Sequence, residues 1–180
     1  ERNDGAIFRR PADGTGTAEE VGTTQSGIWP QAVSGDGRWL VIGSQGAGTN
    51  SDILRFDLST KKITPLVATP FNDEDPALSP DDRLIAYASE QSGRWEIYVQ
   101  AVGGPGRWQI SSDSGQSPCW RADGRELFFL ARPDRIMVVD VELGDAPRFS
   151  APRELFRFPL ETFVVAPAGQ HFFALRAADD

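Results

Sequence analysis

Carboxylates are the residues of this chain whose type and spacing come closest to chemistry. Asp36-Gly37, Asp81-Asp82 and Asp123-Gly124 recur in similar surroundings, and Asn72-Asp73-Glu74-Asp75 forms a denser acidic run. Paired carboxyl groups can divide general-acid and general-base work, and a group of them can hold a hard cation. The partners that such chemistry needs are scarce. There is one histidine, His171, and one cysteine, Cys119, which excludes a Cys/His metal site and an internal disulfide. No G-x-S-x-G nucleophile elbow occurs, and Gly14-Thr15-Gly16 lacks the third glycine of a phosphate loop and leads from a strand into a strand. The expectation is a chain that is not itself an enzyme and needs neither cofactor nor metal.

The acidic turns recur because a hairpin recurs. Pro76 to Tyr87 reads as a short apolar strand, a Pro-Asp turn and a longer apolar strand. Val33–Ile42, Trp120–Phe129 and Val165–Ala174 repeat it. From Ser34 to Ser79 to Arg121 to Ala166 the spacings are about 45, 42 and 45 residues, the period of a four-stranded propeller blade. In each turn the Asp side chain bonds backbone N–H groups two residues on, and the following residue accepts a left-handed conformation. Carboxylates that appear in every full blade are therefore turn-formers first. Arg38, Arg83 and Arg125 follow the turns, where they pair with carboxylates or cover apolar surface. Gly35 in place of the turn proline and Ala168 in place of the turn Asp are expected to weaken those two turns.

Third strands are legible as Ile53–Leu58, Ile97–Val102 and Ile136–Val141, and Ile7 to Ala12 matches them. The chain thus starts in the middle of a blade. Residues 1–28 read as the outer two strands of a blade, 29–73, 74–115 and 116–162 as complete blades, and 163–180 as the inner two strands of a blade. Two, twelve and two make sixteen strands of a single all-β domain, a β-propeller of four-stranded antiparallel blades. Propellers commonly close by letting both termini share one blade, which hides the edges. A four-bladed ring from one chain, an eight-bladed homodimer exchanging half-blades and part of a larger propeller all satisfy the count.

A charge of −8 without a Lys/Arg cluster argues against nucleic acid or an anionic membrane surface as partner, and no run of 18 apolar residues predicts membrane insertion. The first residue is Glu1 rather than Met, as in a processed or excised piece. His171 aligns with Trp39 and Leu84 in the second strands, and Cys119 lies beside Trp120; both read as packed side chains.

The run Leu78-Ser79-Pro80-Asp81-Asp82-Arg83-Leu84-Ile85-Ala86-Tyr87-Ala88-Ser89, continuing through Gly93-Arg94-Trp95-Glu96-Ile97-Tyr98-Val99, resembles the repeat of TolB-type, WD-repeat-like bacterial propellers. It is especially similar to propellers at the C-terminal end of some bacterial serine/threonine kinases and of prolyl-oligopeptidase-type peptidases. The resemblance implies a non-catalytic protein-binding or sensing module, in many cases one domain of a larger polypeptide, and favours the periplasm or another extracytoplasmic location. Ser111 to Gly115 also resembles the sialidase Asp-box, with its tryptophan displaced to Trp120.

What remains for function is a surface. Links from a fourth strand to the next first strand gather around one mouth of a propeller channel, and binding residues concentrate on such loops. Here they hold Trp29, Asp73, Glu74, Asp75, Gln116 and Ser117. An acidic, partly aromatic rim suits a basic peptide or protein loop. The other function class is an accessory domain that gates a peptidase or regulates a kinase.

Overall fold

A computed structural model of the chain describes residues 5–24, 27–45, 50–144, 146–166 and 169–176. Among them are seventeen strands and no helix. β1 (Gly5–Arg9) and β2 (Glu19–Thr24) form an antiparallel pair. β3 (Ile28–Val33), β4 (Trp39–Gln45), β5 (Ser51–Asp57) and β6 (Ile63–Val67) make the first complete blade. The second is β7 (Asp73–Leu78), β8 (Leu84–Ser89), β9 (Glu96–Ala101) and β10 (Arg107–Gln109). The third holds β11 (Gln116–Trp120), β12 (Glu126–Ala131), β13 (Arg135–Glu142), β14 (Arg148–Phe149) and β15 (Arg153–Arg157), and β16 (Thr162–Val165) pairs with β17 (Phe172–Leu175).

Seventeen strands stand where sixteen were expected because the outer strand of the third blade is broken. β14 pairs with Val141 and Glu142, β15 with Arg135 to Val138. Between them Ser150 Oγ accepts from the Asp140 N–H at 3.0 Å, and Pro152 has no N–H to give. Pro65 in β6 is tolerated for the related reason that β6 is an edge strand.

The second strands are apolar on both faces because each is packed between blades. In β8 all six residues are buried. Leu84, Ala86 and Ala88 join Val99, Leu127 and Phe129 on one side, while Ile85 and Tyr87 join Trp39, Val41 and Ile53 on the other. A third cluster, around Phe128, Leu130 and Ile136, packs on Leu160 and Phe163 and so ties the last half-blade to the third blade. At the other end Gly22 admits the Phe56 ring, since a Cβ there would run into it.

Turn chemistry follows the expectation and adds a serine to it. Asp36 Oδ1 accepts from the Arg38 N–H at 3.0 Å, Asp81 Oδ1 from that of Arg83 at 3.2 Å and Asp123 Oδ1 from that of Arg125 at 3.0 Å. Gly37, Asp82 and Gly124 take φ of 67°, 59° and 71°. Buried Ser34 and Ser79 donate to Asp36 and Asp81 at 2.7 and 2.6 Å. At Gly35, in place of the turn proline, the turn is formed and makes a further bond. The Gly35 N–H donates to Asp82 Oδ2 at 2.8 Å, an inter-blade bond that a proline would lack. Ala168 lies outside the described residues. Arg38 lies 3.7 Å from Asp36, and Arg83 donates to the Gly144 carbonyl at 3.1 Å.

These are three complete blades and two half-blades of a partial propeller. Among the described residues β1 pairs only with β2 and β17 only with β16, so the four-bladed one-chain ring is not made here. Phe8, Val164, Phe173 and Leu175 on the half-blades are 58 to 64% exposed. His171 precedes β17 and is exposed, where Trp39 and Leu84 are buried, because nothing packs on that side of the half-blade among the described residues.

Phe128 is 2% exposed and meets the Phe172 ring edge-on at 5.1 Å. Phe128→Ala is expected to cost about 3–5 kcal/mol in urea unfolding, whereas Phe173→Ala, at an exposed site, stays within about 0.5 kcal/mol of the parent. Equal losses for the two would contradict this packing.

Candidate functional site

The first strand of every complete blade carries a one-residue bulge. Register shifts fall between Pro30 and Ala32, Glu74 and Ala77, and Gln116 and Cys119. A bulge bends the strand and turns the unpaired residue out of the ladder. Asp75 and Ser117 occupy it with φ of 52° and 50°, each followed by a proline. Asp75 Oδ2 accepts from the Ser117 N–H at 3.0 Å and from its hydroxyl at 3.4 Å, so two of the expected rim residues bond each other across neighbouring blades.

Trp29, Asp73, Glu74 and Asp75 come together along a cleft of about 220 Å³ between the first and second blades. The Trp29 indole lies over Gly43, where a Cβ would meet ring atoms at 2.9 Å, and the residue stays 40% exposed. Glu74 is exposed and accepts from the Ser51 hydroxyl at 2.9 Å. Gln116 is not in the cleft; its Oε1 accepts from Arg132 Nε at 3.0 Å.

Asp73 departs from the expectation of a rim residue, because it is 1% exposed. It stands in register opposite Ser89, before the bulge, and bonds Thr69 in the link from the first blade. Its Oδ2 accepts from the Thr69 hydroxyl at 2.8 Å and from the Thr69 N–H at 3.2 Å. Its Oδ1 is buried and has no partner among the described residues, and neither has Ser89 Oγ, on the residue that faces Asp73 across the ladder. A buried polar atom left unsatisfied costs about 1–3 kcal/mol, and more when charged.

Several polar residues around the mouth were not anticipated. Asn72 accepts from the Ser51 N–H at 3.0 Å and donates to Glu90 at 2.6 Å, tying the link to both blades. Asp52 lines the cleft, and burial, then the neighbouring Asp73, raises its pKa above the usual aspartate range. Glu96, fully buried, holds the corresponding place in the second blade, but its oxygens are satisfied: Arg94 Nε donates at 2.7 Å, the Ser114 N–H at 3.2 Å, and the Ser111 hydroxyl donates to the other oxygen. The signal for both was present, since each stands one residue before the isoleucine that opens its third strand. Among the described residues no three His, Cys, Asp or Glu side chains are grouped to hold a metal ion. Cys119 is half-buried, and burial pushes its thiol pKa up, away from reactivity.

Solved structures show the same arrangement of blades. TolB from Acinetobacter baumannii superposes with a TM-score of 0.71 at 20% identity, over 96% of this chain and 43% of that one. The fold is that of a TolB-type β-propeller. A putative TolB from Agrobacterium tumefaciens gives 0.62 at 19% identity, over 86% and 61%, so this chain spans about half the length of those chains. One of two prolyl endopeptidases gives 0.59 at 14% identity, over 91% and 28%. No protein-family model matches the chain, and no curated protein does.

The Asp52 shift sets a pH dependence. A carboxyl group whose folded pKa is raised favours the fold below its unfolded pKa and loses that contribution as pH rises through the folded one. Asp52→Asn is therefore expected to melt at or above the parent temperature at pH 7, with the difference closing as pH falls below about 3.9, the ordinary aspartate value. A melting difference that widens towards acid would have the wrong sign.

Proposed function

We propose that this propeller is a binding module that presents the mouth formed by its inter-blade links to a protein or peptide carrying basic side chains. One observation carries the reading: Asp52, Glu74 and Asp75 line the same cleft as an exposed tryptophan, with buried Asp73 beside them, and among the described residues no basic residue lines it. Such a surface attracts cations at long range and offers an aromatic face at contact. An accessory role within a larger enzyme is supported by the match to a prolyl endopeptidase of which this chain covers 28%. A kinase or peptidase domain in the same open reading frame separates that role from a free-standing one.

Among the described residues β1 pairs in a sheet with β2 and β17 with β16, and β1 and β17 would suit each other as third and second strands, the pairing made by β5 with β4, β9 with β8 and β13 with β12. We propose that the edges of β1 and β17 are completed by another strand of the same repeat, from a second copy or from further blades of a longer polypeptide. Light scattering on this chain distinguishes the two, with twice 19.7 kDa for the homodimer.

The binding reading is tested by anisotropy titration with a labelled ten-residue peptide of alternating Lys and Ser, against its Glu/Ser counterpart. The basic peptide is expected to bind and the acidic one not. Replacing both Glu74 and Asp75 by Lys is expected to weaken the basic peptide at least tenfold. Equal binding of both peptides, or none, would refute the reading.

A further inference from the structure

We propose that the gap between the second and third blades, at the end of the sheets opposite the mouth, binds an uncharged aromatic molecule of two or three rings. A cavity of about 520 Å³ opens there between the hairpin turn at Asp81 to Leu84, the turn from β9 to β10 and the turn from β13 to β14. Its walls include Leu84, Val102, Pro105, Trp108, Leu143 and Pro147. Small-molecule sites are clefts of about 300–1,000 Å³ with mostly apolar walls and few polar groups. The repeat shows why room is left at this place. Trp39, Leu84 and Glu126 hold one position at the start of their second strands, and Asp57, Ala101 and Asp140 face them across the ladder. In the first blade Trp39, with the Arg55 guanidinium 4.6 Å from its ring centre, packs towards the second blade. The second blade has the smaller Leu84, Val99 and Ala101 at the places of Trp39, Arg55 and Asp57, and its gap to the third blade stays open.

Trp108 gives the site its preference for rings. Its indole folds over Gly106, where a Cβ would collide with it, and meets the Phe149 ring at 5.5 Å and 50°. On the facing wall Leu143 lies close to Gly124, where a Cβ would come within 3.2 Å of Leu143 Cδ1, and the leucine is 43% exposed. An aromatic ligand gains ring contacts on such a wall beyond the area it buries. The polar side chains at the opening already bond the protein. Asp81 Oδ1 accepts from the Ser79 hydroxyl and the Arg83 N–H, Asp82 Oδ2 accepts from the Gly35 N–H, and Arg83 donates to the Gly144 carbonyl. A ligand therefore gains by burying apolar surface and not by pairing charge. Two carboxyl groups beside one guanidinium also disfavour an anion.

Calorimetric titration of the whole chain with 2-naphthol, and with decahydro-2-naphthol and 2-naphthoate beside it, tests the assignment at pH 7. The saturated alcohol keeps the hydroxyl and loses the rings; the acid keeps the rings and adds a charge. 2-Naphthol is expected to bind at a single site, at least threefold more tightly than the saturated alcohol and at least tenfold more tightly than the anion. Leu84→Trp, which puts the first blade's residue into the gap, is expected to weaken 2-naphthol at least tenfold, and Trp108→Ala at least threefold. Because Leu84 is buried, Ala101→Asp serves beside it, bringing in the carboxyl group of the other two blades at a half-buried position, with the same tenfold loss expected. Phe173→Ser, on the exposed face of the last half-blade, is expected to leave the affinity unchanged. No binding of 2-naphthol, equal affinity for all three compounds, or binding that survives the three cavity variants and is lost in Phe173→Ser overturns the proposal. The peptide titrations at the mouth are independent of these outcomes, since the two sites lie at opposite ends of the sheets.

Discussion

Blade packed on blade, through strands that have no wet side, is the constraint from which the other features follow. β8 shows it most fully: it bonds to β7 and β9 at its edges, and both of its faces press on neighbouring sheets. Burial of this kind stabilises by about 25 cal/mol for each Å² of apolar surface removed from water, and it leaves no freedom to slide. A one-residue slip of β8 would exchange the faces that meet the first and third blades, setting Ile85 and Tyr87 against a surface shaped for Leu84 and Ala86. With the second strands fixed, the hairpin turns at one end and the inter-blade links at the other are fixed as well.

The two ends of the sheets are used differently. Turns carrying Asp36, Asp81 and Asp123 spend their carboxyl groups on their own backbone, and Asp82 reaches to the next blade through the Gly35 N–H. Those acids are satisfied where they stand. At the other end, bulges in β3, β7 and β11 break the ladder and turn residues into the gaps between blades, which is how Asp75 meets Ser117, while Asp73, before its bulge, lines a cleft and is buried. The chemical distinction between the faces is thus one of partners, not of composition.

Much of the architecture was legible in the sequence because it is written repeatedly. A residue such as Asp81 or Phe128 does the same thing in each unit, so its role could be read from its recurrence. The broken outer strand at Ser150 to Pro152 was not legible, since nothing recurs there to compare it with. The site divided in the same way. That Trp29, Glu74 and Asp75 line one cleft was legible because links between blades gather at one end of the sheets whatever their sequence. The burial of Asp73 was missed because it goes with bonds to Thr69 in the link, which apolar patterning does not record. Asp52 was missed for a different reason: its alignment with Glu96 was available, but a polar residue at the start of a strand carries no sign of which neighbour it will face.

Hydrogen exchange of backbone amides tests the packing account most directly. Blade-on-blade burial predicts that amides of β8 and β12 exchange at least 100-fold more slowly than those of the outer strands β6 and β10, since the former open only when neighbouring blades part. Protection in β8 no greater than in β6 would mean that the sheets do not bear on one another as described, and the mouth between the blades would lose its frame.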